Sequence, residues 1–181
     1  MNGRRFAHTL ILLIATALSA PPLLAQSRPN TRQGFWFNVG LGAGSLGCDD
    51  CDTRTNGLSG QLSLGGTISP RFLLGASSNG WTKSEEGTTL TMGSLTAAFR
   101  FYPSATGGFY LTGGLGVATL DLGIEGLGSA SETGTAALLG LGYDIRLGDN
   151  ISLTPFWNGI GGAFDGGGAN FGQIGFGVTW H

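Results

Sequence analysis

Histidine occurs at only two positions in the chain, His8 and His181, and that scarcity limits the chemistry available. A serine or cysteine nucleophile needs a general base within hydrogen-bond reach, most often a histidine. His8 falls in the N-terminal leader described below, and His181 is the last residue. The stretch Ser77–Ser78–Asn79–Gly80 follows Gly75 and Ala76, so a serine there has no usual base. Glu85, Glu86 and Glu132 offer carboxylates, but nothing in their spacing fixes an acid–base pair. The sequence therefore reads as a protein that is not an enzyme, with no cofactor.

Cys48 and Cys51 form a Cys-x-x-Cys. A thioredoxin-like site needs a βαβ setting, which is missing. A zinc site needs two more nitrogen or sulfur ligands, and none is nearby. Asp49, Asp50 and Asp52 would hold a hard cation only weakly, so no metal is expected. A small loop disulfide is the favoured reading, given an oxidising compartment. Four further charges, Arg100, Glu132, Asp144 and Arg146, share the same strand phase, as set out below. They serve either as a charged constriction or as ion pairs that plug a narrow lumen, and the size of a small barrel favours the plug.

These residues must be carried by some framework, and composition narrows it. Charged residues are 11% of the chain, and 35 of the 181 residues are glycine. Glycine is a poor helix residue, and no Gly-X-Y period is present, which excludes collagen. The N-terminus has Arg4 and Arg5, then an apolar run from Leu10 to Leu18, then small residues and Pro21–Pro22. That is the layout of a secretory signal peptide, assigned to 1–25 and cleaved after Ala25. The apolar run is too short to be a membrane anchor. A short segment, 26–33, then leads into a single domain at 34–181. Losing Arg4 and Arg5 leaves seven basic residues against 11 acidic ones, a balance of −4. No basic run interleaved with aromatics points to nucleic acid.

From Gly34 onward the hydrophobic period is two, not 3.6. Phe35, Phe37, Val39, Leu41 and Ala43 share one face of the first segment. Leu58, Leu62, Leu64 and Ile68 share one face of the second. Six more segments follow, ending with GANFGQIGFGVTW, where Ile174, Phe176, Val178 and Trp180 alternate with Gly175, Gly177 and Thr179. The opposite faces hold Gly, Ser, Thr, Asn and Gln with scattered charges, a set that cannot build a dry core but can fill a narrow lumen. The fold expected is all-β, an eight-stranded antiparallel up-and-down transmembrane barrel with apolar residues turned to lipid. The phase change in TTLTMGSLTAAFRFY predicts a bulge near Gly93–Ser94. Connections that are longer or more polar are expected after strands one, three, five and seven, the one after strand three being the brief SEEG, with GIGGAFDGGGANFG as a mobile loop. Trp180, Tyr102, Phe101, Phe109, Trp36 and Phe37 are expected to form an aromatic girdle at one interface.

In strand pattern, leader and the final IGFGVTW, the chain resembles the small outer-membrane β-barrel proteins of Gram-negative bacteria. It is similar to the OmpA/OmpX-type transmembrane domain within the porin-like β-barrel family, over Gly34 to Trp180. The resemblance implies a location in the outer membrane with both termini periplasmic. It implies a closing strand carrying Phe176, Val178 and Trp180, read by the outer-membrane assembly machinery. The partners implied are outer-membrane lipid and lipopolysaccharide, with an extracellular partner engaged by the outer loops of a monomer. A structural or surface-interaction role leads. The alternatives are a narrow channel for ions or very small solutes, a lipid-modifying enzyme, and a soluble periplasmic barrel.

Overall fold

Alternation with a period of two places successive side chains on opposite faces of a strand, and the chain uses it almost without interruption. A computed structural model describes residues 32–49, 51–126 and 128–181. The signal peptide, most of the 26–33 segment, His8 and Asp50 lie outside the described residues. The strands are β1 Phe35–Cys48, β2 Thr55–Ser69, β3 Phe72–Glu85, β4 Thr88–Phe101, β5 Phe109–Ile124, β6 Gly128–Tyr143, β7 Ile145–Arg146, β8 Ile151–Phe164 and β9 Gly167–Trp180. Each neighbour is antiparallel, and β6 pairs with β8. The two-residue β7 continues the stave of β6 past Asp144 and also pairs with β8. The result is a barrel of eight staves.

Closure comes from β1 and β9, in register from Phe37 opposite Trp180 to Cys48 opposite Ala169. An open edge would leave unpaired backbone groups in hydrocarbon, at several kcal/mol for each. The final apolar alternation is thus the closing seam. Gly42 lies opposite Gly175 in that seam. A methyl group on either would run into the carbonyl of the facing strand, Ile174 or Leu41.

Both described ends of the chain lie at one end of the barrel, here called the terminal end. The connections depart from expectation. At the distal end only Glu86–Gly87 joins β3 to β4, and Asp165–Gly166 joins β8 to β9. Glu86 and Gly87 both have positive φ, 48° and 77°, the pairing that a two-residue hairpin of the primed type requires. The stretch expected to be a mobile loop is therefore mostly paired strand, up to Phe164 opposite Gly167. The longest connection, 102–108 after β4, is at the terminal end. Strand pairing extends into residues whose composition suggested loops, because Gly, Ser and Thr are tolerated on a wall that faces water.

The expected bulge is absent. β4 runs in unbroken register against both β3 and β5, through Gly93 opposite Gly80 and Thr119. Among the described residues the one register shift lies between Thr67 and Ser69 in β2. The phase change in β4 has another cause. Leu95, Ala97, Phe99 and Phe101 point outward, whereas Met92 points inward and is fully buried. The backbone keeps its phase while the apolar side changes from the outer wall to the lumen.

Candidate functional site

The lumen is the one place where side chains from every stave meet, and it is filled in three layers. The terminal layer is built of cations and aromatics. Arg100 on β4 is 4% exposed, and its guanidinium stacks between the rings of Trp36 and Tyr110, at 4.5 and 4.6 Å. Tyr110 packs on Tyr102, with ring centroids 5.4 Å apart. Arg32, just before β1, lies 3.3 Å over the Tyr102 ring. Its side chain donates to the carbonyls of Pro70, Ala105 and Gly107, tying two terminal turns together. Guanidinium groups are favoured over aromatic faces, more so when desolvated.

Asp144 interrupts the sixth stave and turns its carboxylate into this layer. Oδ2 accepts from Tyr102 Oη at 2.9 Å and lies 3.3 Å from His181 Nε2; Oδ1 accepts from Thr154 at 2.8 Å. Burial, with the Asp144 charge beside it, pushes the Tyr102 phenol well above the ordinary tyrosine range, so the hydroxyl keeps its proton to donate. The side chain of His181 is 2% exposed. The last residue therefore caps the lumen from below.

The middle layer is a hydrogen-bonded ladder of hydroxyls and amides. Thr154 meets Thr179 at 2.7 Å, and Asn38 Nδ2 donates to Thr179 at 2.8 Å. Gln61 donates to Asn38 at 2.7 Å, Asn158 to Gln61 at 2.5 Å, and Gln173 to Asn79 at 2.8 Å. Asn79 donates to Ser77, which pairs with Ser63 at 2.8 Å. The ladder crosses from β8 and β9 through β1 and β2 to β3. Buried polar groups are costly unless paired, and here most of the ladder atoms pair across the bore, while Gln173 Oε1 is left without a partner.

The distal layer is apolar. Leu46, Trp81, Met92, Ala118, Ala136, Ile160 and Phe171 are buried together, with Leu90, Leu120 and Phe164 packed against them. The expectation of a wholly polar lumen is corrected here: only the terminal and middle layers are polar. Trp36 and Tyr102, expected in an interfacial girdle, point into the lumen instead, because both share the inward phase with charged partners. Phe37 and Trp180 do stack on the outer wall, at 5.9 Å.

The four charges singled out by phase do not meet. Arg100 and Asp144 belong to the terminal layer. Arg146 lies at its edge and donates from Nε to Gly148 O at 2.9 Å. Glu132 is near the distal end and accepts from the Gly166 amide at 3.1 Å. Cys48 and Cys51 are joined in a disulfide, Cα atoms 5.1 Å apart. Asp49 beside them exchanges bonds with Gly168, and Arg54 donates to Asn170 and Ser45. This distal loop is thus clamped onto β9 and β1. Among the described residues no group of three metal-ligating side chains forms. Phe176, Val178 and Trp180 stand on the outer wall of β9, facing Leu41, Val39 and Phe37 on β1.

Sequence reasoning missed Arg32, His181 and the amide ladder. A signal for the ladder was present. Asn38, Gln61, Asn79, Asn158 and Gln173 each occupy the inward phase of their own strand.

The outer wall completes the geometry. Around the terminal half it carries a belt of exposed Leu, Ile, Val, Phe and Trp. A wall of that kind, around a polar bore, is stable only in hydrocarbon. The family model for the outer membrane protein beta-barrel domain matches residues 10–181. The chain belongs to that family. No curated protein matches the sequence. Among solved structures, Neisserial surface protein A is similar at a TM-score of 0.62 and 14% identity, over 81% of this chain and 96% of that one. Ail, the attachment invasion locus protein of Yersinia pestis, is similar at 0.58 and 16%, over 82% and 99%. Ail has also been solved in complex with the heparin analogue sucrose octasulfate, similar at 0.59 and 17% identity, over 82% of this chain and 99% of that one. At these identities the likeness is one of fold. This outer-membrane barrel shares an architecture with them, while its lumen is described by its own residues.

Proposed function

We propose that the protein is a closed, non-enzymatic outer-membrane barrel with a structural and surface-interaction role, its distal end facing outward. The filled lumen carries this reading. A cation–aromatic layer, an amide ladder and an apolar cluster occupy the bore in succession, which weighs against a water path for ions. His181 and Asp144 pair at one end, but Ser77 is committed to Ser63 and Asn79 in the middle layer. That separation of Ser77 from the His181–Asp144 pair supports the non-enzymatic reading. With the bore occupied, what remains for partners is the distal rim, including the clamped Cys48–Cys51 loop.

Two measurements test this. Protein that migrates as a heat-modifiable folded barrel should give no steady conductance in a planar bilayer; steady, salt-dependent channels would replace this reading with the narrow-channel one. Lys83, the sole lysine in the sequence, lies near the distal rim. A membrane-impermeant amine reagent should label it on intact cells. Labelling only after lysis would place the distal end inside.

A further inference from the structure

The outer wall above the apolar belt is uneven. On β8, β9 and β1 it is mostly small, with Gly159, Gly161, Gly168 and Gly172 facing out. On β3 to β6 the register lines up hydroxyls instead. Thr82 lies opposite Thr91, Thr91 opposite Asp121, and Asp121 opposite Ser131. One step nearer the belt, Thr119 lies opposite Thr133. Thr82 and Thr91 share a hydrogen bond of 3.0 Å. Thr119, Ser131 and Thr133 have no side-chain partner among the described residues. Neighbouring strands are about 4.8 Å apart and same-face residues about 6.7 Å apart along a strand. The result is a grid of hydroxyls that both donate and accept, with the Asp121 carboxylate among them as an acceptor.

On β5 the lipid-facing belt follows directly below the grid, with Val117 and Leu115 below Thr119, and on β6 Ala137 and Leu139 follow below Thr133 and Thr135. Whatever touches the grid must therefore lie next to the hydrocarbon, in the headgroup zone. Charge narrows the occupant. Asp121 is the one charged side chain in the grid. The nearby rim carries Glu85, Glu86, Glu125 and Asp165, with Lys83 already paired to Glu85 at 2.6 Å. A phosphate would meet no free cation there, whereas an uncharged polyhydroxyl group would meet matched hydrogen-bonding partners.

We propose that the hydroxyl grid on β3–β6 binds the uncharged sugar portion of the glycolipid in the outer leaflet. This rests on the distal end facing outward. The test uses the full barrel in vesicles containing either a glycolipid with its complete sugar core or a truncated form with the same acyl chains and phosphates but no core sugars. Wild-type protein should retain the full-core form on extraction at least tenfold more than the truncated one. The variant Thr119→Val, Ser131→Ala, Thr133→Val should lose that preference while keeping heat-modifiable migration. These substitutions keep strand-forming side chains of similar shape. Equal retention of the two glycolipids, or a preference that survives in the folded variant, overturns the proposal. Lys83 labelling on intact cells separates the causes: labelled cells with no sugar preference remove the grid alone, and unlabelled cells remove the orientation on which it rests.

Discussion

The terminal and distal halves of the barrel are built inside out with respect to each other. In the terminal half Leu41, Leu139 and Phe176 face outward, and Asn38, Gln61 and Arg100 face inward. In the distal half Ser131, Thr133 and Thr91 face outward, and Trp81, Met92 and Phe171 face inward. One continuous set of staves thus changes from membrane-barrel to soluble-barrel packing part-way along. The eight long strands are 14 to 16 residues each, longer than the roughly 9–11 needed to cross a bilayer. The surplus length stands clear of hydrocarbon, where the hydrophobic effect again favours an apolar interior. Polarity of the surroundings, not a change of fold, decides which face is apolar.

If the distal half has a soluble-type core, its largest side chain should dominate stability there. Trp81→Ala is expected to cost about 3–5 kcal/mol, read as a lowered midpoint for loss of the folded, fast-migrating form in a urea series. The outer walls should respond oppositely to one charge. Leu139→Arg should cost about 2–4 kcal/mol in lipid, and Thr133→Arg less than about 1 kcal/mol. Equal costs would mean that both halves meet the same solvent. In the polar half, Asn158→Leu keeps the volume but strands Gln61. It should cost about 1–3 kcal/mol, seen in the same urea series. The smallest effect belongs to the Cys48–Cys51 disulfide, whose closed loop is very short. Its reduction should cost at most about 2 kcal/mol and raise hydrogen exchange only around 49–54, leaving the terminal half unchanged.

The barrel itself was readable because period-two alternation fixes the strand faces, and the faces of β1, β2 and β9 are those the sequence indicated. The inversion was half visible. In β4 the apolar phase moves from Leu90 and Met92 to Leu95 and Phe99, which reads equally as a bulge or as a change of the buried side. Only the partner strands distinguish the two, and Gly80 and Thr119 opposite Gly93 favour the second. Loop lengths were misread because Gly, Ser and Thr mark turns in most proteins but line the water-facing wall here. The lumen network could not be read because its links join residues remote in sequence, such as Asn158 with Gln61 and Arg32 with Gly107. Nothing in the spacing around His181 indicates a partner, yet Asp144 draws it into the bore.

The inversion is tested most directly on one stave. Single nitroxide labels placed in turn at Ser129, Ser131, Thr133, Thr135, Ala137, Leu139 and Leu141 of β6 all occupy the outward phase. Their collision rates with oxygen and with a water-soluble nickel complex, in reconstituted bilayers, report lipid and water in turn. The account predicts water contact from Ser129 to Thr135 and lipid contact from Ala137 to Leu141. Lipid contact along the whole stave would contradict it.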